Sequence, residues 1–312
     1  MNNLSPQLQE SINYIKYLVD KNGPEIYDYQ KLDYTLQIIG QSIKEESIPT
    51  DYLNQIRSYF GVAFSKETMQ GFAYTKPHGY AGDYEIIERI YDWYLSTDER
   101  CAKWDIYWQN HQAARAVRNR VKYFQQSLTD TLNDLNRVTK GKRKINILNL
   151  ASGPSRIIFN FLSNNEHLAK VVHIDCVELD ENAIAFSKKR TAKYAGSLHY
   201  IHKNVFKFLP EKNYDVIWSS GLFDYFDDGV FIKLMSRFFE YLNPGGRIII
   251  GNFSPKTMSR HYMELFDWKL FYRSESQLIN LGKKFANRND ILYVEAEEEN
   301  ANLFLNIIKS KM

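Results

Sequence analysis

Ile145-Asn-Ile-Leu-Asn-Leu-Ala-Ser-Gly-Pro-Ser155 is the stretch that decides the fold. Its first six residues are mostly apolar and suit a buried strand, and the small residues Ala151, Ser152 and Gly153 suit a tight turn. An apolar helical run follows from Ile157 to Leu162. A strand, a small-residue turn and a helix together expose backbone N–H groups at the helix N-terminus. The pattern predicts the first unit of an open parallel sheet, with ligand chemistry at the carboxyl ends of its strands.

The rest of the chain after this stretch alternates apolar strand-like runs with amphipathic helical runs. This alternation is typical of a parallel sheet covered by helices. The acidic connection Glu297-Glu-Glu-Asn300 suits an antiparallel hairpin at the sheet edge. We therefore predict an α/β fold with a seven-stranded sheet, its strands covering residues 145–150, 171–177, 199–201, 214–219, 247–252, 291–296 and 303–309.

The first 139 residues have a different pattern, because they are mainly amphipathic and helical. Ser5-Pro6 is a plausible start of the first helix, and Gly23-Pro24 stops it. The loop at residues 74–84 is rich in Tyr and Gly, and Asp83 is expected to cap the helix after it. The basic run Lys140–Lys144 marks the clearest boundary. We predict an N-terminal helical cap or substrate domain over residues 1–139 and a sheet domain over residues 140–312.

Composition excludes several classes of protein. The 40 basic and 37 acidic residues leave a net charge of +3, so no nucleic-acid partner is implied. Cys101 and Cys176 lie in no metal or redox spacing, which favours reduced thiols in a cytoplasmic protein without a metal site. The sequence shows no signal peptide and no run long enough for membrane insertion. It does not determine the oligomeric state.

Three features point to the ligand of the sheet. The turn after the first strand is poor in glycine, which argues against a nicotinamide dinucleotide as the ligand. Glu178 ends the second strand, where a carboxylate can accept hydrogen bonds from both ribose hydroxyls. It follows Asn149 by 29 residues, against about 20 in the dinucleotide fingerprint. Asn204 follows the third strand and can face an adenine amino group. Together these features favour an adenosyl ligand across neighbouring strand ends.

Residues Lys144–Lys309 resemble a class I S-adenosylmethionine-dependent methyltransferase. The resemblance is carried by the segments 149–153, 178–180, 214–222 and 242–246. It implies a Rossmann-like seven-stranded sheet with an antiparallel last strand, and S-adenosyl-L-methionine as the cofactor. The implied cofactor-binding residues are Asn149, Ala151, Gly153, Glu178, Leu179, Asn204, Val205, Ser219, Ser220 and Leu222. Asn149 stands where the family often has an acid, and Ala151 and Ser155 replace glycines.

The segments Lys76-Pro-His-Gly-Tyr-Ala-Gly-Asp-Tyr84 and Ala116-Val-Arg-Asn-Arg120 are similar to bacterial methyltransferases that make 3-hydroxy fatty acid methyl esters. This resemblance implies methylation of a small molecule, an O-methylation of the carboxylate of a hydroxy fatty acid or related acid. An N-methyltransferase of an amino acid or small amine is the first alternative. An NAD(P)-dependent oxidoreductase and a non-catalytic adenosyl-ligand-binding protein are alternatives of other classes.

Methyl transfer from a sulfonium requires the enzyme mainly to hold the nucleophile near the methyl group and to exclude water. The loop at residues 74–84 is the candidate lid, in which Tyr80 contacts the cofactor and the reacting groups and Asp83 accepts a hydrogen bond from the cofactor ammonium. Arg118 or Arg120 is a candidate partner for a carboxylate of the cofactor or of the substrate. Tyr225 and Arg273 complete the predicted catalytic set, with Arg273 as a candidate anchor for the acceptor carboxylate. The aromatic insertion between residues 262 and 273 is expected to line the acceptor pocket.

Overall fold

The computed structural model describes residues 5–45, 49–139 and 142–311. Lys140 and Gly141, which begin the predicted boundary run, lie outside the described residues. The α-helices are α1 (Pro6–Asp20), α2 (Tyr29–Lys44), α3 (Thr50–Ser58), α4 (Met69–Thr75), α5 (Tyr84–Tyr91), α6 (Glu99–Asn110), α7 (Gln112–Thr139), α8 (Arg156–Asn164), α9 (Glu166–Ala169), α10 (Glu181–Arg190), α11 (Asp228–Glu240), α12 (Arg260–Leu265) and α13 (Glu275–Gly282).

The seven strands form one sheet. They are β1 (Ile145–Leu150), β2 (Val172–Glu178), β3 (Leu198–His202), β4 (Tyr214–Ser219), β5 (Leu242–Phe253), β6 (Ile291–Ala296) and β7 (Asn302–Ile308). Their order is β3-β2-β1-β4-β5-β7-β6. The first five strands are mutually parallel, and β7 is antiparallel to both of its neighbours. The predicted seven-stranded α/β fold with an antiparallel last strand is confirmed.

The start of β5 differs from the prediction. The predicted strand covers residues 247–252, but residues 243–246 also lie within β5. Leu242 pairs with Tyr214, and the regular register resumes only where Arg247 pairs with Val216. Gly245, with φ of 78°, allows the extra residues to bulge out of the ladder. Residues 243–246 therefore form an irregular stretch within β5.

The chain divides into two compact units. The helical unit comprises Met1–Arg115 and Thr257–Lys269, and the sheet unit comprises Ala116–Lys256 and Leu270–Met312. The division differs from the predicted boundary at residue 140, because the sheet unit includes most of α7. It also differs because a segment after β5 belongs to the helical unit. The functional roles predicted for the two parts stay predictions.

The helical unit confirms several local predictions. The Ser5 side chain accepts a hydrogen bond from the Leu8 N–H at the start of α1. Asp83 caps α5, since its Oδ1 accepts from the N–H groups of Glu85 and Ile86, both at 2.9 Å. Residues 99–139 form two helices, α6 and α7, which meet at His111.

Aromatic residues fill much of the helical unit. Tyr262, Phe266 and Trp268, from the segment after β5, are at most 6% exposed. The ring of Phe266 packs edge-on against Phe60, and Tyr262 packs against Trp108. The prediction that this part of the insertion lines an acceptor pocket is not supported by these contacts, because the rings form the core of their own unit.

Both faces of the sheet are covered within the sheet unit. One apolar face packs against α11 and α13 through residues such as Leu148, Ile217 and Leu305. On α7, Tyr123 stacks on Phe304 of β7 with ring centroids 3.7 Å apart, and Phe124 lies beside Trp218 of β4. Parallel strands buried on both faces need nearly continuous apolar sequence, which β1, β2 and β4 have. Polar groups that could bind a ligand are therefore expected at the carboxyl ends of the strands.

Candidate functional site

The strand order brings most of the predicted cofactor-binding residues to one edge of the sheet. The turn after β1, the end of β2, the segment after β3 and the end of β4 are neighbours in space, because the order there is β3-β2-β1-β4. The carboxyl ends of parallel strands lie at the same edge. Backbone hydrogen bonds join adjacent ends, from the Ser152 N–H to the Val177 carbonyl at 3.1 Å and from the Lys203 N–H to the Glu178 carbonyl at 2.9 Å.

The turn after β1 keeps the backbone of a glycine-rich turn with fewer glycines. Ala151, Gly153 and Ser155 all have a φ of 52°, in the left-handed region. That region is unfavourable for residues with a Cβ, so Ala151 and Ser155 store strain. No heavy atom lies within 4 Å of the position that a Cβ on Gly153 would take. The turn therefore presents open backbone at Gly153, where a ligand can approach closely.

Glu178 joins two turns through its carboxylate. The Oε2 atom accepts a hydrogen bond from the Gly153 N–H at 2.8 Å. The Oε1 atom accepts from the N–H groups of Leu179 at 2.7 Å and Asp180 at 3.0 Å. Glu178 is 8% exposed, so its side chain is fixed in place. A carboxylate has about four acceptor positions, and one more hydroxyl donor can be accepted beside these three N–H groups.

Apolar side chains stand exposed beside Glu178. Leu179 is 58% exposed and Phe206 is 47% exposed, and the ring of Phe206 lies edge-on against Phe226. Asn204 accepts a hydrogen bond from the Phe206 N–H at its Oδ1, at 2.8 Å, while Val205 is buried. Exposed apolar side chains next to a fixed carboxylate suit a flat ring attached to a sugar, with the ring on the apolar surface and the hydroxyls on the acid.

The end of β4 holds buried polar atoms. Among the described residues, the Oγ atoms of Ser152 and Ser219 are buried and make no hydrogen bond. Buried hydroxyls usually have partners, so these two fit a site completed by a ligand. Ser220 and Leu222 are partly exposed at the same strand end. The orphaned hydroxyls, the open Gly153 backbone and the Glu178 carboxylate together fit an adenosyl cofactor.

Arg120 of α7 approaches the end of β4. Its Nη1 atom lies 3.4 Å from the Ser220 carbonyl oxygen, and the residue is 6% exposed. A Cβ on Gly221 would come within 2.9 Å of the same Nη1 atom, so only glycine allows this approach. Arg118, the predicted cofactor contact, is partly exposed and lies about 200° around the helix from Arg120. Of these two arginines, it is therefore Arg120 that carries positive charge to this strand end.

Asp224 is a candidate functional residue that the sequence prediction missed. It lies in the 3₁₀ turn Leu222–Tyr225, is 2% exposed, and accepts a hydrogen bond from the Phe253 N–H at 2.6 Å. Burial raises the pKa of its carboxyl to about 7, against the opposing effects of the Phe253 N–H, Arg120 and Arg273. The sequence signal was an acidic residue five positions after the end of a parallel strand, but the prediction named its neighbour Tyr225, which is partly exposed.

Arg273 has a different environment from the one predicted. Its guanidinium donates to Asp228 Oδ1 at 2.9 Å, to Asn252 Oδ1 at 2.7 Å and to the carbonyl oxygens of Phe223 and Phe226. It is 2% exposed. These contacts use most of its donors to fix the 3₁₀ turn after β4, so they favour a positioning role over the predicted role as an anchor for the substrate.

Tyr80 and Asp83 belong to the helical unit. Tyr80 is 39% exposed in the loop between α4 and α5, whereas Asp83 is buried and burial raises its pKa. His78 contacts the Glu85 carboxylate at 2.9 Å, and its ring lies beside Tyr84, so the loop is held by its own side chains. Their predicted contacts with cofactor and acceptor stay predictions.

The structure also brings together three potential metal ligands that are distant in sequence. His173 and His199 each lie 3.1 Å from Asp175 Oδ1. The other oxygen, Oδ2, accepts from the Tyr214 hydroxyl at 2.7 Å and pairs with Lys212 at 2.9 Å. Asp175 thus has four donors, which accounts for the buried carboxylate without an ion. Cys101 and Cys176 are buried free thiols, as the sequence predicted.

Part of the sheet unit is similar to known methyltransferases. Residues 147–246 match a family described as a methyltransferase domain. Phosphoethanolamine N-methyltransferase 1 of Arabidopsis thaliana is 25% identical over 144 residues, covering 45% of this chain and 28% of that protein. Malonyl-[acyl-carrier protein] O-methyltransferase 1 of Ilyobacter polytropus is 25% identical over 179 residues, covering 54% of this chain and 63% of that protein. The chain therefore spans less than two thirds of either curated relative.

A solved structure shares the fold of nearly the whole chain. It is described as a possible exported protein from Bordetella parapertussis, with a TM-score of 0.62 and 15% identity. The match covers 98% of this chain and 97% of that one, so the N-terminal helical region belongs to the shared fold. Among the described residues, no helix combines the length and apolar character needed to cross a membrane. Residues 147–246 of the sheet unit, which hold most of β1, strands β2 to β4 and the start of β5, are thus similar to a methyltransferase domain.

Proposed function

We propose that this protein transfers a methyl group from S-adenosyl-L-methionine to a small-molecule acid, forming an ester at the carboxylate of a hydroxy fatty acid or a related acid. The observation that carries the proposal is the carboxyl edge of the sheet. There a fixed acid, open turn backbone and exposed apolar side chains lie next to a buried arginine at the end of β4.

Each part of this edge has a role in the proposal. Glu178 accepts a hydrogen bond from one ribose hydroxyl, and Leu179 with Val205 flanks the adenine. The backbone at Gly153 and the hydroxyl of Ser219 receive the amino-acid end of the cofactor. The bound cofactor supplies an electrophilic methyl group. Arg120 supplies the positive charge that draws an acidic acceptor to the end of β4.

The chemistry makes modest demands on the chain. A carboxylate is already a nucleophile at neutral pH, so the protein has to orient it in line with the methyl group and exclude water. A hydroxyl acceptor would need a general base in addition. The buried surroundings of Arg120 favour ion pairing with the acceptor over hydration of both charges.

Isothermal titration and a turnover assay test the proposal. The purified chain should bind S-adenosylmethionine and its demethylated product. With 3-hydroxydecanoate it should then form the methyl ester, detected by mass spectrometry. Absence of binding at high micromolar cofactor would contradict the whole proposal. Binding without ester formation from any fatty or hydroxy acid would contradict the acceptor class alone.

Amine methylation is the second candidate function. It is supported by the similarity to a relative named as an N-methyltransferase of phosphoethanolamine. Arg120 beside the end of β4 disfavours a cationic acceptor, because like charges repel at a site with little water. Decylamine in the same assay separates the two candidates, since methylation of the amine in preference to the acid would favour this one.

A further inference from the structure

A buried acid and a buried base share the space beside Gly221. Asp224 Oδ2 lies 3.7 Å from the position that a Cβ on Gly221 would take, and Arg120 Nη1 lies 2.9 Å from the same position. Both residues are at most 6% exposed. Gly221 directly follows Ser219 and Ser220 at the end of β4, so the pair lies next to the proposed cofactor site. Neither side chain is needed to bind the cofactor in the proposed function.

The orientation of the Asp224 carboxyl is fixed. Its Oδ1 accepts from the Phe253 N–H at 2.6 Å, which holds this oxygen towards the end of β5. Its backbone carbonyl accepts from the Phe271 N–H at 2.7 Å. Asp224 is therefore tied once through its carboxyl and once through its backbone, and its Oδ2 atom lies on the side of Gly221 and Arg120.

Charged groups reach Asp224 from several elements. Arg120 faces it from α7, and Arg273 faces it from the segment before α13. Asp228 of α11 pairs with Arg273 at 2.9 Å and so offsets part of that positive charge. Phe253 and Phe271 contribute only backbone N–H groups. The Asp224 carboxyl is thus the acidic group that Arg120 meets beside Gly221.

We propose that Asp224 acts in its protonated form as a second hydrogen-bond donor for the acceptor, so that its Oδ2–H and the Arg120 guanidinium together bind the acceptor carboxylate. This inference rests on the proposed function. No covalent bond to Asp224 forms or breaks, and the proton stays on its Oδ2 while the acid is bound. The arrangement resolves a conflict of charge, because an ionised Asp224 would repel the acid that Arg120 attracts.

The balance of forces on Asp224 makes this state accessible. Burial raises its pKa to about 7, although the two arginines and the Phe253 N–H oppose the rise. The neutral form is therefore well populated at and below neutral pH. A bound acid adds a negative charge and favours the neutral form further. Above pH 7 the acceptor has to compete with an ionised Asp224 for the guanidinium of Arg120.

The predicted consequence is an alkaline limb in the pH profile. With saturating S-adenosylmethionine, kcat/KM for 3-hydroxydecanoate should fall about tenfold per pH unit above 7, or about 100-fold by pH 9. The acid itself is ionised throughout this range, so it contributes no limb. The loss should appear mainly in KM, since the neutral carboxyl acts in binding.

Asp224→Asn is the informative variant. The Phe253 N–H needs an acceptor, so the amide oxygen should take the Oδ1 position and the amide nitrogen the Oδ2 position. The variant would then present a permanent donor beside Arg120. We expect it to keep cofactor affinity and to methylate the acid with little change in kcat/KM between pH 6 and pH 9. Glu240→Gln, at the exposed end of α11, serves as the control and should retain the alkaline limb.

Three results would overturn the inference. One is an alkaline limb that persists in Asp224→Asn, and another is loss of all ester formation by this variant while it still binds the cofactor. The third comes from the wild-type protein alone, which makes the test independent of how the variant folds. Calorimetry with 3-hydroxydecanoate at pH 8, in two buffers of different ionisation enthalpy, should show uptake of about one proton per acid bound. Binding without proton uptake contradicts the role of Asp224 but leaves the proposed function standing, whereas wild-type protein that esterifies no acid contradicts both.

Discussion

At the scale of single residues, the turn after β1 adopts a backbone conformation typical of glycine at positions that are not glycine. Ala151 and Ser155 adopt the left-handed conformation that glycine accepts without strain. The sequence prediction took their side chains as a departure from the family pattern. The structure shows that the backbone of the turn keeps its left-handed conformation at both residues. The side chains make this conformation strained, because each Cβ at positive φ costs about 1–2 kcal/mol.

Replacing Ala151 with glycine should therefore stabilise the protein or leave it unchanged. Relief of about 1–2 kcal/mol of strain outweighs the added freedom of the unfolded chain, which costs about 0.4–1 kcal/mol. Urea unfolding followed by circular dichroism measures the difference. Ala183→Gly in α10 is the control, since a glycine within a helix should cost about 1 kcal/mol. A clear loss of stability in Ala151→Gly, equal to that of the control, would show that Ala151 is not strained at its positive φ.

Glu178 is the residue on which the cofactor site depends most. Glu178→Ala should weaken S-adenosylmethionine binding by about 2 kcal/mol, because charge-assisted hydrogen bonds are lost and the Gly153 turn loses its acceptor. Isothermal titration measures the affinity. Glu240→Ala, at the exposed end of α11, is the control and should bind normally. An unchanged affinity in Glu178→Ala would remove this carboxylate from the site.

At the scale of elements, the 3₁₀ turn after β4 is held by a side chain from elsewhere in the sequence. The Arg273 guanidinium binds two carbonyl oxygens of the turn region and two side-chain oxygens, which fixes Asp224 and Tyr225 indirectly. No spacing in the sequence connects residue 273 with residues 223–226. For this reason the sequence predicted that Arg273 binds the substrate and assigned no role to Asp224.

Arg273→Met should destabilise the sheet unit strongly. Removing a buried guanidinium leaves several buried acceptors unpaired, which costs about 3–5 kcal/mol. The unfolding midpoint in urea should fall accordingly. Arg288→Met, at an exposed position, should change stability by less than about 0.5 kcal/mol. If Arg273→Met kept full stability and lost only acid binding, the predicted role in the substrate site would be restored.

At the scale of the whole molecule, the two units should respond to pH in opposite directions. In the helical unit, Asp105 accepts from the N–H groups of Met69 and Ser96, both at 2.7 Å, and burial raises its pKa to about 6. In the sheet unit, Asp215 pairs with Arg143, and these hydrogen bonds lower the pKa of Asp215 despite its burial. A raised pKa favours the protonated native state, and a lowered pKa favours the ionised one.

The helical unit should therefore lose stability as the pH rises from about 4 to 6, by up to roughly 3 kcal/mol. The stability contributed by Asp215 is present above the unfolded pKa near 4 and is lost as the pH falls below it. Urea unfolding between pH 3 and pH 7 should show both limbs. Asp105→Asn should remove the limb between pH 4 and pH 6 and leave the acid limb in place. Two unchanged limbs in this variant would contradict the assignment to Asp105.

The sequence alone determined most of the strands, their alternation with helices and the edge of the sheet at which the candidate site is predicted. Apolar runs of six residues and capping residues such as Ser5 and Asp83 act locally, so they can be recognised without tertiary structure. The connections from β1 to β2 and from β2 to β3 join neighbouring strands, which places Glu178 beside the β1 turn.

Only the tertiary structure decided which side chains meet across long separations. The packing of α7 on the sheet brings Arg120 to Ser220. The return of the chain after α12 brings Arg273 to Phe226. The tertiary structure also placed Tyr262 and Trp268 in the core of the helical unit rather than in a pocket. The physical reason is that burial and charge pairing depend on neighbours in space, whereas periodicity and capping depend on neighbours in the chain.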